Sequence, residues 1–202
     1  MIRIVLVEPQ HPGNVGAVAR AMVNFGIGDL ALVKGCEIDD DGYARSKSGR
    51  PILENLSRFD TLEEALADCD VAIATSGIKP EGDKRWFRAP KSVKELPSLI
   101  KEREKPALIF GRENYGLYRE ELALCETTIT IPTNPKFPIL NLSHAVGIVL
   151  YEIYRDGNHK NPKKRKAVSN EEFERLVDRI MNLLEETSYP QRRLDRSRTT
   201  LR

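Results

Sequence analysis

Cysteines are few in this sequence, and long apolar runs are absent from it. The three cysteines, Cys36, Cys69 and Cys125, are scattered and form no C-x-x-C pair, so neither a disulfide framework nor a cysteine-based zinc site is expected. No apolar run approaches the roughly 20 residues that a transmembrane helix requires. The first residues, MIRIVLV, enter a predicted strand at once and lack the features of a signal peptide. We therefore expect a cytoplasmic protein with reduced thiols and no membrane partner.

Charge is distributed unevenly along the 202 residues, a length that suits one sizeable core with a small appendage. Residues 1–156 contain 20 Lys and Arg against 23 Asp and Glu, whereas residues 157–202 contain 12 against 7. A mildly acidic body with a basic tail predicts that an anionic partner meets the tail. A solvated basic linker without any partner explains the same charges equally well.

Apolar runs alternate with helical periodicity along the first 156 residues. The runs that predict strands are Ile2–Val7, Asp29–Val33, Val71–Thr75, Ala107–Phe110 and Thr128–Ile131. Helical spacing occurs at residues 15–25, 62–67 and 92–101, and a long amphipathic helix is expected from Leu142 onward. This alternation predicts an α/β fold: a parallel sheet flanked by helices, with ligand loops at the carboxyl ends of the strands.

The C-terminal part of the sequence departs from this pattern. Residues 1–157 form the predicted α/β domain, and residues 158–167 (NHKNPKKRKA) form a basic linker. Ser169 and Glu172 then have the spacing of a capping box, and apolar residues at helical spacing follow it. Residues 168–202 are therefore expected to form a helical extension. It stops without a cap or a breaker, which is typical of a chain cut within a small helical module.

Polar residues gather in three stretches, each following a predicted strand. In the first, glycines flank Asn14 before Arg20, in a loop where the backbone can approach a ligand and a helix starting near Val15 offers free N–H groups. A surface arginine paired with a carboxylate is the plain alternative for Arg20. The second stretch, residues 111–117, is a Gly-x-Glu-x-x-Gly loop, which is a weak signal alone. The third, residues 131–143, contains three prolines that stiffen a loop before a helix.

Taken in order, the three stretches resemble the signature motifs of the SpoU/TrmH methyltransferases, which belong to the SPOUT superfamily. Asn14, Gly16 and Arg20 match the N-x-G-x-x-x-R of the first motif, and residues 111–117 match the second. The third motif of the family has a Ser-Leu-Asn core, for which this chain has Ile139-Leu140-Asn141. The likeness covers residues 1 to about 156 and is nearest to the TrmJ branch, which methylates tRNA ribose.

The resemblance implies an enzyme that transfers a methyl group from S-adenosylmethionine to a ribose 2′-hydroxyl of tRNA, in the anticodon loop at position 32. It also implies a C-terminal trefoil knot and a homodimer with the site at its interface, with tRNA rather than DNA as partner. The catalytic residues carried over are Arg20, Asn14, Glu113 and Asn141. The cofactor-binding residues are Thr75, Ser76, Gly77, Gly111, Gly116, Ile131 and Leu140.

Two features concern the RNA and the reacting hydroxyl. Many family members have a serine where Ile139 stands, so a role for a hydroxyl of the third motif is not carried over. Arg85, Trp86 and Arg88 form a cluster that suits phosphate gripping and base stacking, although a loop anchored by one buried tryptophan has the same composition. The linker adds further candidate RNA-binding residues, namely Lys163, Lys164 and Arg165. No catalytic metal is expected, since His11 and His144 lack ligand spacing.

Alternatives to this prediction remain at this point. A 2′-O-methyltransferase acting on ribosomal RNA or on another tRNA position has the same motifs. A protein of the same fold that binds RNA or cofactor without catalysis is consistent with Ile139, whereas the retained Asn14, Arg20, Glu113 and Asn141 favour an enzyme. A generic nucleotide-binding α/β domain does not explain why three motifs coincide in order.

Overall fold

The computed structural model describes residues 1–77, 90–156, 169–187 and 190. The strands in these ranges are β1 (Arg3–Val7), β2 (Asp29–Val33), β3 (Ser57–Phe59), β4 (Val71–Thr75), β5 (Lys91–Ser92), β6 (Pro106–Phe110) and β7 (Thr127–Thr130). The α-helices are α1 (Pro12–Asn24), α2 (Asp40–Ser46), α3 (Arg50–Glu54), α4 (Leu62–Leu66), α5 (Leu96–Ile100), α6 (Arg119–Ala123), α7 (Leu142–Arg155) and α8 (Asn170–Glu186). Short 3-10 turns occupy Lys47–Gly49 and Val93–Glu95.

The strands form one parallel sheet in the order β3-β2-β1-β6-β4-β7-β5. The predicted α/β class and parallel sheet are confirmed, and the five predicted strands are all present. The strand order changes direction beside β1, whose neighbours are β2 on one side and β6 on the other. In open α/β sheets, ligands bind outside the carboxyl ends of the strands near such a switch point. The loops that follow β1, β6, β4 and β7 meet there.

The two faces of the sheet bury separate cores, because alternate residues of a strand point to opposite sides. On one face, Ile4 and Leu6 of β1 pack with apolar residues of α1, α3, α5 and α7. On the other, Val5 and Val7 pack with α4. The apolar stripe of α7 belongs to the first core, with Leu142, Val146, Val149, Leu150 and Ile153 all buried. That stripe is therefore used within one chain.

Helix α1 begins at Pro12, three residues before the predicted start near Val15. Proline suits the first helical position, since its φ is already helical and its missing N–H would have no partner there. The helix ends as predicted, with Gly26 at a φ of +69° directly after the C-cap. It packs closely on α2, because a Cβ added to Gly16 would lie 2.0 Å from the carbonyl oxygen of Gly42.

The predicted capping box at the start of α8 is present: the backbone N–H of Glu172 donates to Ser169 Oγ, and that of Ser169 to the Glu172 carboxylate. The start of α8 is hydrogen-bonded near the amino ends of the strands, whereas the ligand loops lie at their carboxyl ends. Asn170 N donates to the carbonyl of Cys69 at 2.7 Å, just after α4. The basic linker and residues 191–202 lie outside the described ranges. Among the described helices, none is both long and apolar enough to cross a bilayer.

Candidate active site

A cavity of about 300 Å³ opens at the carboxyl ends of β4, β6 and β7. The loops that follow these three strands form its walls, together with the start of α7. Every residue predicted to bind the cofactor lines it: Thr75, Ser76, Gly77, Gly111, Gly116, Ile131 and Leu140. The structure thus brings together seven residues that are spread over 66 positions of the sequence. Their roles toward a cofactor remain predictions.

The loop after β6 is a tight turn that exposes backbone to this cavity. The Arg112 N–H donates to the Gly116 carbonyl at 3.1 Å, and the Gly116 N–H donates back to Arg112 at 2.9 Å. Gly116 has a φ of +66°, which favours glycine. A Cβ added to Gly111 would lie 2.1 Å from the Gly116 carbonyl carbon. Two glycines are therefore required here, one for conformation and one for space.

The loop after β4 is fixed by its neighbours in the sheet. Thr75 Oγ1 donates to the Ile109 carbonyl at 2.9 Å, and the Ser76 N–H donates to the Ile129 carbonyl at 3.0 Å. Gly77 faces Ile139, whose Cδ1 would lie 3.2 Å from a Cβ at position 77. Hydrogen bonds to β6 and β7 on either side thus fix the wall formed by residues 75–77, as expected of a preformed ligand site.

One chain of hydrogen bonds joins the three motifs, and its member Glu113 lines the cavity. Asn14 Nδ2 donates to Glu113 Oε1 at 2.9 Å, and Asn141 Nδ2 donates to Asn14 Oδ1 at 3.0 Å. Asn141 Oδ1 in turn accepts from the Ser143 hydroxyl at 2.7 Å and from the Ser143 N–H at 2.9 Å. Three of the four predicted catalytic residues are therefore in direct contact. They fix one another's side-chain orientation.

Glu113 also occupies the amino end of α1. Its carboxylate accepts from the backbone N–H of Gln10 at 3.0 Å and of His11 at 3.3 Å. The N–H groups near Val15 that were predicted to be free are bonded within the chain, since those of Asn14 and Val15 both donate to the His11 carbonyl. Partial burial opposes ionisation of Glu113, but the bonds from Asn14 and the backbone outweigh it. The pKa of Glu113 is lowered as a result.

This lowered pKa predicts an acid-dependent loss of stability that Glu113→Gln reduces. A carboxyl whose pKa is lower in the folded state stabilises the fold above its unfolded value of about 4.3, and this stability is lost as pH falls through the folded pKa. Near neutral pH we expect Glu113→Gln to cost about 1–3 kcal/mol, because a charged acceptor is lost. Below about pH 4 the difference from the wild type should shrink.

Urea unfolding followed between pH 7 and acid conditions measures this difference. Glu63→Gln, in the exposed first turn of α4, is the matched control and is expected to follow the wild type. A constant difference between Glu113→Gln and the wild type across the whole range would show that the charge of Glu113 contributes nothing to the network.

Arg20, the fourth predicted catalytic residue, is placed apart from the other three. It lies on α1, six positions after Asn14, and its side chain is exposed. It is not among the residues that line the cavity. Within one chain, the side chain of Arg20 is therefore accessible at the surface and lies outside the cavity wall. Arg20 shares helix α1 with Asn14.

The third motif has an apolar residue, Ile139, at the position where the resemblance led us to consider a serine. Ile139 is 55 % exposed and lines the cavity through its apolar side chain, so it offers no hydrogen bond to a reacting group. Ser143, which follows on the first turn of α7, bonds to Asn141 instead. The structure thus places the Ser143 hydroxyl in the network.

Some of the residues at the site were missed or cannot be placed. Arg112, Tyr115 and Leu122 also line the cavity, and the only sequence signal for them was their position in or near the second motif. The predicted RNA-binding residues Arg85, Arg88, Lys163, Lys164 and Arg165, with Trp86, lie outside the described ranges. Among the described residues, no group of three potential metal ligands is present.

Comparison with known proteins agrees with the geometry. The family model described as SpoU rRNA Methylase family matches residues 1–151. A tRNA (cytidine-2'-O-)-methyltransferase TrmJ of Methanocaldococcus jannaschii is 37% identical over 89% of this chain and 92% of its own length. The corresponding TrmJ of Sulfolobus acidocaldarius is 40% identical over 88% of this chain and 73% of its own.

Solved structures show the same likeness in three dimensions. The crystal structure of TrmJ from Z. mobilis ZM4 superimposes with a TM-score of 0.80 at 31% identity, covering 100% of this chain and 88% of that one. The family model covers three quarters of the chain. Residues of the second and third motifs line the cavity, and Asn14 of the first motif is hydrogen-bonded to both of those motifs. The chain therefore belongs to the SpoU rRNA methylase family.

Proposed function

We propose that the protein transfers the methyl group of S-adenosylmethionine to a ribose 2′-hydroxyl in the anticodon loop of tRNA, at position 32. The observation that carries the proposal is the hydrogen-bonded chain Glu113–Asn14–Asn141, whose Glu113 lines the cavity. It joins all three motifs at one place. Relatives at 37% and 40% identity that are named as tRNA 2′-O-methyltransferases support the tRNA substrate.

The cavity suits S-adenosylmethionine in size and in lining. About 300 Å³ is at the lower end of the range for small-molecule sites. The walls combine apolar side chains such as Leu122 and Ile129 with exposed backbone at Gly111 and Gly116. Apolar surface suits the adenine ring, and backbone N–H and C=O groups suit its polar edge and the ribose. Residues 75–77, 111–117 and 138–140 would hold the cofactor, which supplies the electrophilic methyl group when bound.

The chain's own residues provide position and charge for the transfer. A guanidinium stays protonated in proteins, so Arg20 acts as a donor and not as a base. We assign it two tasks: to grip the phosphate beside the target ribose, and to stabilise the negative charge that develops on the 2′-oxygen. Asn14 and Asn141 orient the ribose, while Glu113 fixes Asn14. Correct orientation of reacting groups is a large part of such catalysis.

A homodimer belongs to the same proposal, with Arg20 of one protomer completing the cavity of the other. Arg20 and Val23 are three positions apart and lie on one face of α1, where both are exposed. Tyr151 and Tyr154 are likewise exposed on α7, and Tyr154 contacts Phe25 at the end of α1. This apolar surface beside an exposed arginine suits an isologous interface. The C-terminal trefoil knot and a cytoplasmic location are parts of the proposal that rest on the resemblance.

Methyl transfer from labelled S-adenosylmethionine to unmodified tRNA transcripts and, in parallel, to unmodified ribosomal RNA tests the function. A 2′-O-methyl group makes the following phosphodiester resistant to alkali, so the labelled position can be mapped. One resistant bond after position 32 is the expected result. Label elsewhere in tRNA, or only in ribosomal RNA, would keep the chemistry and overturn the substrate. Cofactor binding without transfer to either RNA would overturn the enzymatic proposal.

A further inference from the structure

Arg112 is a buried charged residue at the cavity that the proposed reaction does not use. Only 4 % of its side chain is exposed, and it precedes Glu113 in the second motif. Its guanidinium forms two paired hydrogen bonds with the carboxylate of Glu121, at 3.0 and 2.9 Å. A second pair of contacts, at 2.9 and 2.7 Å, goes to the carboxylate of Glu8. The ring of Tyr118 covers the guanidinium, 3.9 Å from its carbon.

Burying charged groups costs free energy unless nearly all of their donors and acceptors form hydrogen bonds. The guanidinium of Arg112 and the carboxylate of Glu121 are both largely removed from water, whereas the side chain of Glu8 stays 41 % exposed. Electrostatic attraction offsets the lost hydration only when most donors and acceptors are satisfied. Here four of the five N–H groups of Arg112 face carboxylate oxygens in paired geometry. These bonds raise the pKa of Arg112 and lower the pKa of Glu8, so they favour the charged form of both groups.

The three partners belong to three separate parts of the fold. Glu8 directly follows β1 and has a φ of +46°, which is unfavourable for a residue with a side chain. Glu121 lies on α6, and Arg112 begins the tight turn that closes at Gly116. The guanidinium thus ties the cavity loop to the end of β1 on one side and to α6 on the other. The position of the loop is set by these bonds.

The next residue of that loop transmits the position to the reaction site. Glu113 accepts a hydrogen bond from Asn14, and Asn14 accepts one from Asn141. A shift of the loop would move Glu113 away from Asn14 and loosen the end of α1 at Gln10. The same shift would move the cavity wall that residues 111–117 provide. The cluster around Arg112 is therefore placed to hold both the cofactor wall and the carboxylate that bonds Asn14.

We propose that Arg112 is a positioning residue for methyl transfer: by clamping the loop 111–117 between Glu8 and Glu121, it holds Glu113 where Asn14 and Asn141 are aligned. The proposal rests on the proposed function for its reaction and on the bonds above for its geometry. Arg112 touches no reacting atom in it. Its effect passes through Glu113.

Arg112→Lys is the test variant, because lysine keeps the charge but cannot bond two carboxylates in paired geometry. The same sheet offers a matched control in Arg3, which is 7% exposed and lies at the opposite end of β1. Arg3 also bonds two carboxylates, those of Asp29 and Asp68, far from the cavity. Arg3→Lys should lower the urea midpoint about as much as Arg112→Lys does. If Arg112 had a purely structural role, the two variants would then also lose the same amount of activity and cofactor affinity.

The readouts are the dissociation constant for S-adenosylmethionine and the single-turnover rate on bound tRNA, at a temperature where both variants are folded. Loss of a residue that orients active groups typically costs about 10- to 100-fold. We expect Arg112→Lys to lose that much in rate and to bind cofactor about 10-fold more weakly. Arg3→Lys should change either value less than about 2-fold. Equal values for the two variants would overturn the proposal.

A milder variant keeps the test sharp if Arg112→Lys does not fold. Glu121→Gln leaves an oxygen acceptor for Arg112 and is expected to show the same pattern with a smaller loss. The cofactor measurement also separates this proposal from the proposed function. A wild type that binds S-adenosylmethionine but methylates no RNA would fail as a methyltransferase. The ratio of the two variants' cofactor dissociation constants would then still decide whether Arg112 holds the loop.

Discussion

Arg20→Ala is expected to lower the single-turnover methyl-transfer rate by about 100- to 1,000-fold, the usual loss when a donor to developing negative charge is removed. The side chain is exposed and lies outside the cavity wall of its own chain. The free energy of unfolding should therefore change by less than about 0.5 kcal/mol. The dissociation constant for S-adenosylmethionine should stay within about 2-fold, since both tasks assigned to Arg20 concern the RNA and not the cofactor.

Two further measurements make this prediction specific. Arg103 is a part-exposed arginine near the amino ends of the strands, where it donates a hydrogen bond to the carbonyl of Asp70. Arg103→Ala should therefore retain the wild-type rate. A tRNA titration separates the two tasks assigned to Arg20. If Arg20→Ala bound tRNA weakly but methylated bound tRNA at the wild-type rate, its role would be binding alone. The proposed stabilisation of the 2′-oxygen would then be wrong.

The strands that could be predicted from sequence are the long, fully buried ones. β1 (RIVLV), for example, has buried residues throughout, and a run of β-branched residues is the signal that such strands give. β3 and β5 were missed because three and two residues are too few to show a pattern. The helices α2, α3 and α6 were missed for a related reason. They have five to seven residues and bury too few of them to mark an apolar face.

The residues of the site were predictable by type, but their contacts were not. Asn14, Glu113 and Asn141 follow from the motifs, whereas the bonds between them join positions 99 and 127 residues apart. Nothing local to Asn14 indicates which carboxylate it meets. The amino end of α1 shows the same limit. Glycine and asparagine there suggested free N–H groups, and only the folded chain shows that Glu113 lies against those of Gln10 and His11.

Gly111→Ala is expected to weaken S-adenosylmethionine binding by about 100-fold or more, because a loop displaced by an ångström no longer matches the ligand. The added Cβ would lie 2.1 Å from the carbonyl carbon of Gly116 and 2.4 Å from the N of Leu117. Both atoms are backbone, so the whole turn must shift. Overpacking of this kind also costs about 1–3 kcal/mol of unfolding free energy.

Gly28→Ala is the matched control, because nothing lies within 4 Å of a Cβ added there. It should bind cofactor as the wild type does and unfold within about 0.5 kcal/mol of it. Isothermal titration with S-adenosylmethionine and urea unfolding give the two values. Wild-type cofactor affinity in Gly111→Ala would show that the turn at Gly111 and Gly116 does not form the cofactor wall.

The two inactive variants together test whether the site is shared between protomers. If Arg20 of one protomer serves the cavity of the other, a mixed dimer of Arg20→Ala and Gly111→Ala contains one complete site. Its Arg20 comes from the Gly111→Ala protomer and its cavity from the Arg20→Ala protomer. Random exchange in an equal mixture should restore about a quarter of the wild-type activity, since half of the dimers are mixed and each has one of its two sites intact. If each chain used its own Arg20, the mixture would stay inactive, and the shared site would be wrong even if both single variants behaved as expected.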